Sequence, residues 1–214
     1  MKRTRPPRTA RGPVLVCRLD AAAVTVDYRT GRVAASLDVP PGEGAMVPGP
    51  PWRPSWGSRE LEYGYREPPW PTDPPIVSSV VGLLIALAVL RIGRRGRGLG
   101  RLLRFLEHVR LLPGSDAAPD IARTQCLVVR RLGILVPLRV ACLEESAATM
   151  VALALRGHRV IWCHGIAADP VEFHAWLTTP AGDAIAEPAS TERFRALVTV
   201  PRTNTDLEPG EDRT

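Results

Sequence analysis

The stretch from Ala141 to Pro201 constrains this chain most, because its hydrophobic period changes partway through. Leu143, Ala147, Met150, Val151, Ala154 and Leu155 recur at helical spacing, and Gly157 ends the run. Ala141–Arg156 therefore reads as one amphipathic helix. Pro137 lies just upstream, so a loop delivers Cys142 to the helix start. After Gly157 the pattern becomes that of strands, at Val160–Ile166, Phe173–Thr178 and Ala184–Glu187. Pro180-Ala181-Gly182-Asp183 is a turn signal between the last two. Helices that feed antiparallel strands in this way predict an α+β fold, with the helices packed on the sheet.

The same stretch orders three chemically suggestive residues. Cys142 sits where the positive end of the helix dipole favours a thiolate over a thiol. Glu144 and Glu145 share that first turn. They suit the dipole but raise the thiol pKa, so the thiol still needs a nearby imidazolium. His174 follows 32 residues later, and Glu187 13 residues after that. A thiol needs a base, and the base needs an acceptor on its far nitrogen. A hairpin loop of two or four residues centred on Pro180-Ala181 pairs residues whose numbers sum to 361. His174 then faces Glu187, with Cβ atoms about 5 Å apart. Asp183 points to the same face but lies about 13 Å along the strand. Glu187 is the preferred acid and Asp183 the reserve. An odd loop breaks this register.

At these residues the chain resembles the leader peptidases of lasso-peptide biosynthesis, a microcin-processing, transglutaminase-like family of cysteine peptidases. The resemblance is carried by Cys142-Leu143 with Ser146 and Ala148, by Trp162-Cys163-His164-Gly165, and by Phe173-His174-Ala175-Trp176. It continues in Gly182 through Glu187-Pro188 and in the ending Arg193–Pro201. Two positions depart from the family pattern. Phe173 stands where relatives often carry Ala, and Glu187 where some carry Asp; the longer acid is absorbed by a small strand shift.

The resemblance implies a papain-like or transglutaminase-like α+β domain over about residues 76–201, with Cys142 as nucleophile, His174 as base and Glu187 as orienting acid. It implies no cofactor and no metal. The implied substrate is a ribosomally made precursor peptide, cut between leader and core. The implied partners are a small leader-binding protein of winged-helix type and an asparagine-synthetase-like macrolactam cyclase. Some members carry the leader-binding domain fused at the N-terminus. Here the strand pair in 14–37 is followed by a proline-rich stretch instead of helices, which favours a separate partner. Two other readings stay open: another acyl-transfer enzyme on the same scaffold, a transglutaminase or amidase, and a non-catalytic peptide-binding module.

The rest of the chain sets the surroundings. Residues 1–12 and 202–214 read as disordered tails, the first of them basic. Val14–Leu19, Ala23–Tyr28 and Arg32–Leu37 read as strands of a small N-terminal β element over 13–38, with Thr30-Gly31 as a turn. Residues 39–75 hold 11 of the 22 prolines, with Trp52, Trp56 and Trp70, and so cannot be helix or central strand; they read as a linker. Ile76–Leu90 is the most apolar segment, short of the about 20 residues a spanning helix needs. It reads as a buried helix, with weak membrane association through 76–92 as the alternative. Gly100–Leu112 and Pro119–Leu132 read as two more helices.

Basic residues exceed acidic ones by 6, and all but Lys2 are Arg. They cluster at Lys2–Arg11 and Arg91–Arg104, as solvated faces or docking surface for an acidic partner. No nucleic-acid module accompanies them. The four cysteines have no metal spacing and no secretion signal precedes them, so a reducing cytoplasm is expected. Cys163 and Cys126 read as core residues, and Cys17 carries no signal. His164 either faces the site or is hydrogen-bonded elsewhere; His158 reads as surface. Trp176 shares the His174 face, where it shields the imidazole, lines a subsite or packs in the core.

Overall fold

The structure, a computed structural model, describes residues 13–18, 23–36, 45–48, 70–93, 97–167 and 171–201. Expectations for both tails and for residues 49–69 lie outside them.

Four helices form the centre: α1 (Ile76–Arg91), α2 (Gly98–Val109), α3 (Pro119–Leu135) and α4 (Cys142–Leu155). Pro119 occupies the first turn of α3, where its missing N–H costs nothing. Gly157 ends α4 at φ 76, the left-handed position a helix stop requires. The expectation for α4 was an amphipathic helix. Instead all eight residues from Ser146 to Leu153 are buried. A helix apolar all round belongs inside, and α1, α2 and α3 cover the side the sheet leaves open. Small residues make that possible. A Cβ added at Gly82 of α1 would lie 2.4 Å from the Ala148 carbonyl oxygen.

Beside the helices lies a three-stranded antiparallel sheet. Its central strand β7 (Ile161–Ala167) pairs with β8 (Glu172–Thr178) on one side and β9 (Arg195–Val200) on the other. The expected strand Ala184–Glu187 reduces to a single bridge, Thr178 with Ala184, and β9 completes the sheet. A short parallel pair, β5 (Ser115–Asp116) and β6 (His158–Arg159), joins the α2–α3 connection to the end of α4.

The N-terminal strands β1 (Val14–Arg18), β2 (Ala23–Asp27) and β3 (Arg32–Ser36) form an antiparallel meander, turned at Gly31 with φ 71. A fourth strand, β4 (Ala45–Pro48), pairs in parallel with β1 inside the segment expected to be a linker. It is an edge strand, the one sheet position where Pro48 is tolerated. The inner face of this sheet (Leu15, Cys17, Val24, Val26 and Tyr28) joins the same core as Leu102, Leu106 and Val129 of the helices. Among the described residues no helix is long and apolar enough to cross a membrane. One face of α1 packs inward through Leu83, Ala86 and Leu87, while Val77, Val80 and Leu84 are exposed.

Candidate active site

The first turn of α4 is fixed before any reactive group is considered. Ala141, extended at φ −132, donates its backbone N–H to the Glu144 carboxylate at 3.2 Å. Ser146 donates its hydroxyl to the Cys142 carbonyl at 2.7 Å, and the Trp162 indole N–H donates to that hydroxyl at 2.9 Å. Trp162 is fully buried in β7. The central strand is thus bolted to the turn that carries Cys142.

β8 supplies the histidine. His174 pairs with Gly165 across the sheet. Gly165 has to be glycine, because a Cβ there would lie 2.3 Å from the Arg195 carbonyl oxygen and 2.7 Å from the Trp176 ring. Trp176 stacks on the His174 imidazole, with centroids 5.8 Å apart and planes 9° from parallel. Phe194 closes the other side at 5.1 Å. Of the readings left open for Trp176, shielding of the imidazole is the one the geometry realises.

His174 hydrogen-bonds the Cys142 thiol, and the backbone N–H groups of Ala175 and Leu143 also donate to the sulfur. Burial opposes ionisation of Cys142, but these donors and the imidazolium charge outweigh it and hold the thiol pKa below its usual value. Burial likewise opposes a charged His174, but hydrogen bonds from Cys142 and Glu187 raise it to about 9. At neutral pH the pair stands as thiolate and imidazolium. With Nε2 engaged by Glu187 at 2.8 Å, Nδ1 is the ring nitrogen left for the sulfur.

Glu187 does meet His174, but not by the expected register. Thr179 N–H donates to the Asp183 carbonyl and Ile185 N–H to the Leu177 carbonyl. These pairs imply an odd loop, with Gly182 at φ 96. Continued as a strand, that register would carry Glu187 past His174. Ala186 instead takes φ 54, turns the chain out of the sheet, and brings Glu187 back under the imidazole. Asp183 stays exposed at the turn, where only its backbone N–H is tied, to Thr179 Oγ1.

The carboxylate is held on every side. Thr191 donates to Oε2 at 3.2 Å, and Arg130 donates from Nη2 to Oε1 at 3.3 Å. Arg130, on α3, also donates to the Ala186 carbonyl and to Glu145. The two acids beside Cys142 are therefore occupied: Glu144 caps its own helix and Glu145 pairs with Arg130. Neither Arg130 nor Phe194 was singled out from the sequence. Arg130 did leave a signal, since it lies four residues after buried Cys126 on the apolar face of α3. A charge on such a face needs a partner.

His164 takes the hydrogen-bonded reading. Its Nδ1 shares a 2.7 Å hydrogen bond with the Tyr28 hydroxyl, and its ring is stacked between Trp162 and Phe173. Burial first, then the charge on His174, lowers its pKa to about 4. It is neutral and outside the site. His158 was expected at the surface; it is half-buried, and its Nδ1 has no hydrogen-bond partner among the described residues. Cys17, Cys126 and Cys163 are buried free thiols, and burial raises the pKa of Cys126 to about 11.

Residues 86–199, more than half of the chain, match the transglutaminase-like superfamily. The chain belongs to this superfamily. No curated protein and no solved structure matches it. The transglutaminase-like span runs from within α1 to the end of β9 and holds Cys142, His174, Glu187 and Arg130. The N-terminal sheet lies before it. A superfamily generally built on cysteine chemistry fits a helix-start thiol facing a carboxylate-backed imidazole on the adjoining strand.

Proposed function

We propose that the chain is a cysteine peptidase that removes the leader from a ribosomally made precursor peptide during lasso-peptide maturation. One observation carries the chemistry: His174 is held between the Cys142 thiol and the Glu187 carboxylate. The Cys142 thiolate attacks the carbonyl carbon of the leader–core bond. The backbone N–H of Cys142, at the helix start, is the natural donor to the developing oxyanion. As the C–N bond breaks, the imidazolium gives its proton to the leaving amine and the leader remains as a thioester. Water then attacks the thioester, His174 takes its proton, and the leader acid leaves with the thiolate restored. Glu187 keeps the ring orientation, and Arg130 keeps Glu187.

The choice of substrate is supported by the motif likeness, whose residues have structural work here. Ser146 and Trp162 lock the cysteine turn, Gly165 admits Trp176, and Glu187 meets His174. Mass spectrometry of the precursor incubated with the enzyme and a leader-binding partner tests this. Peptide cleavage adds one water across the leader–core bond. A crosslinked product would point to a transglutaminase, and ammonia release to an amidase.

The enzyme alone is expected to cut poorly, because the leader-binding winged-helix protein delivers the substrate and the asparagine-synthetase-like cyclase consumes the core. The Arg91–Arg104 region and the 14–37 strands are the expected contact surfaces. Full activity on the precursor without a partner would contradict this and assign leader binding to the N-terminal sheet.

Glu187→Gln is expected to slow cleavage far more than Asp183→Asn. It removes the charge that fixes the imidazole and leaves Arg130 with one carboxylate fewer. The equivalent loss in a serine triad costs roughly 10⁴; a thiolate is less demanding, so the loss here is smaller. Steady-state cleavage rates of the two variants decide it. A mild Glu187→Gln beside a crippling Asp183→Asn would reverse the assignment.

A further inference from the structure

We infer that the cavity beside His174 receives the residue on the amine side of the cut bond and selects a cationic side chain there. The inference rests on the peptidase reading. The cavity holds about 480 Å³ and is lined by Trp176, Phe194, Asp183, Glu192 and Thr191, with Glu187 at its base. Its position follows from proton transfer. The leaving amine takes its proton from the His174 ring, so the segment it heads departs on the imidazole side. That is the side Trp176 and Phe194 flank.

The charge of the lining decides the preference. Glu187 is committed to His174, Thr191 and Arg130. Asp183 and Glu192 are exposed, and among the described residues neither has an ion-pair partner. The neighbouring cation, Arg193, is held by Glu172 and lies over the Phe194 ring at 4.9 Å. The cavity therefore offers two uncompensated carboxylates above aromatic walls. An Arg or Lys side chain fits that lining, with its aliphatic stem along the rings and its head at the carboxylates. An acidic residue meets repulsion from both.

The test uses the full wild-type chain and three amidated dipeptides with free amino termini: arginylglycinamide, leucylglycinamide and glutamylglycinamide. Ligand-observed NMR measures their affinities. The arginyl peptide is expected to bind about tenfold more tightly than the glutamyl one, the order that two partly exposed ion pairs supply. The preference should shrink in high salt and vanish in the Asp183→Asn/Glu192→Gln double variant. Both residues are exposed, so that variant keeps the fold. Equal affinities, no measurable binding, or a preference untouched by the double variant would overturn the inference. Binding needs no thiol chemistry, so the two readings separate. Failed precursor cleavage with the preference present sinks the peptidase reading, and intact cleavage without the preference sinks the subsite.

Discussion

Cys142→Ala is expected to abolish cleavage of the precursor while leaving the fold unchanged. The thiol supplies the nucleophile, and no other cysteine can replace it, since Cys17, Cys126 and Cys163 are buried. In a serine peptidase, loss of the nucleophile costs roughly 10⁶ in turnover. The fold survives because the contacts that shape the first turn of α4 do not use the sulfur. Ser146 bonds the Cys142 carbonyl and Trp162 bonds Ser146. Mass spectrometry of the precursor, beside circular dichroism of the variant, checks both halves. Retained cleavage would remove Cys142 from the mechanism.

His174→Ala is expected to be nearly as damaging. Without the imidazole the thiol loses the partner that holds its pKa down, and the leaving amine loses its proton source. Raising the pH restores some thiolate but no acid, so cleavage does not recover. Nucleophile and base act as one unit, and their losses do not add. The Cys142→Ala/His174→Ala double variant should be no worse than either single one. Markedly multiplicative losses in cleavage rate would show that the two residues work apart.

Much of this site was legible because its parts lie on strongly periodic elements. The helical repeat from Leu143 to Leu155 and the β-branched and aromatic runs around Trp162 and Trp176 fix α4, β7 and β8, and with them Cys142 and His174. Burial of α4 on all sides was less legible. It depends on Gly82 letting α1 approach from the far side, a contact no local pattern encodes. Glu187 was reached for the wrong reason. Turn residues announce a loop but not whether its count is odd, and a non-glycine residue at positive φ, Ala186, has no compositional signature. Two errors cancelled: the register was off by one residue, and the chain turns where a strand was expected. β4 was hidden because it pairs in parallel with a distant strand inside a proline-rich segment. Arg130 and Phe194 were passed over because each acts through another residue.

The claim beneath all of this is that Cys142 and His174 form an ion pair before substrate arrives. The rate of Cys142 alkylation by iodoacetamide as a function of pH, read by mass spectrometry of the modified peptide, tests it most directly. A lowered thiol pKa means that the thiolate persists as pH falls below the ordinary thiol value of about 8.5. The account predicts fast alkylation of Cys142 through neutral pH, declining only in acid, with Cys17, Cys126 and Cys163 unmodified. It also predicts a second change near pH 9, where His174 loses its proton. A Cys142 that is inert, or that titrates like an ordinary thiol, would contradict the account.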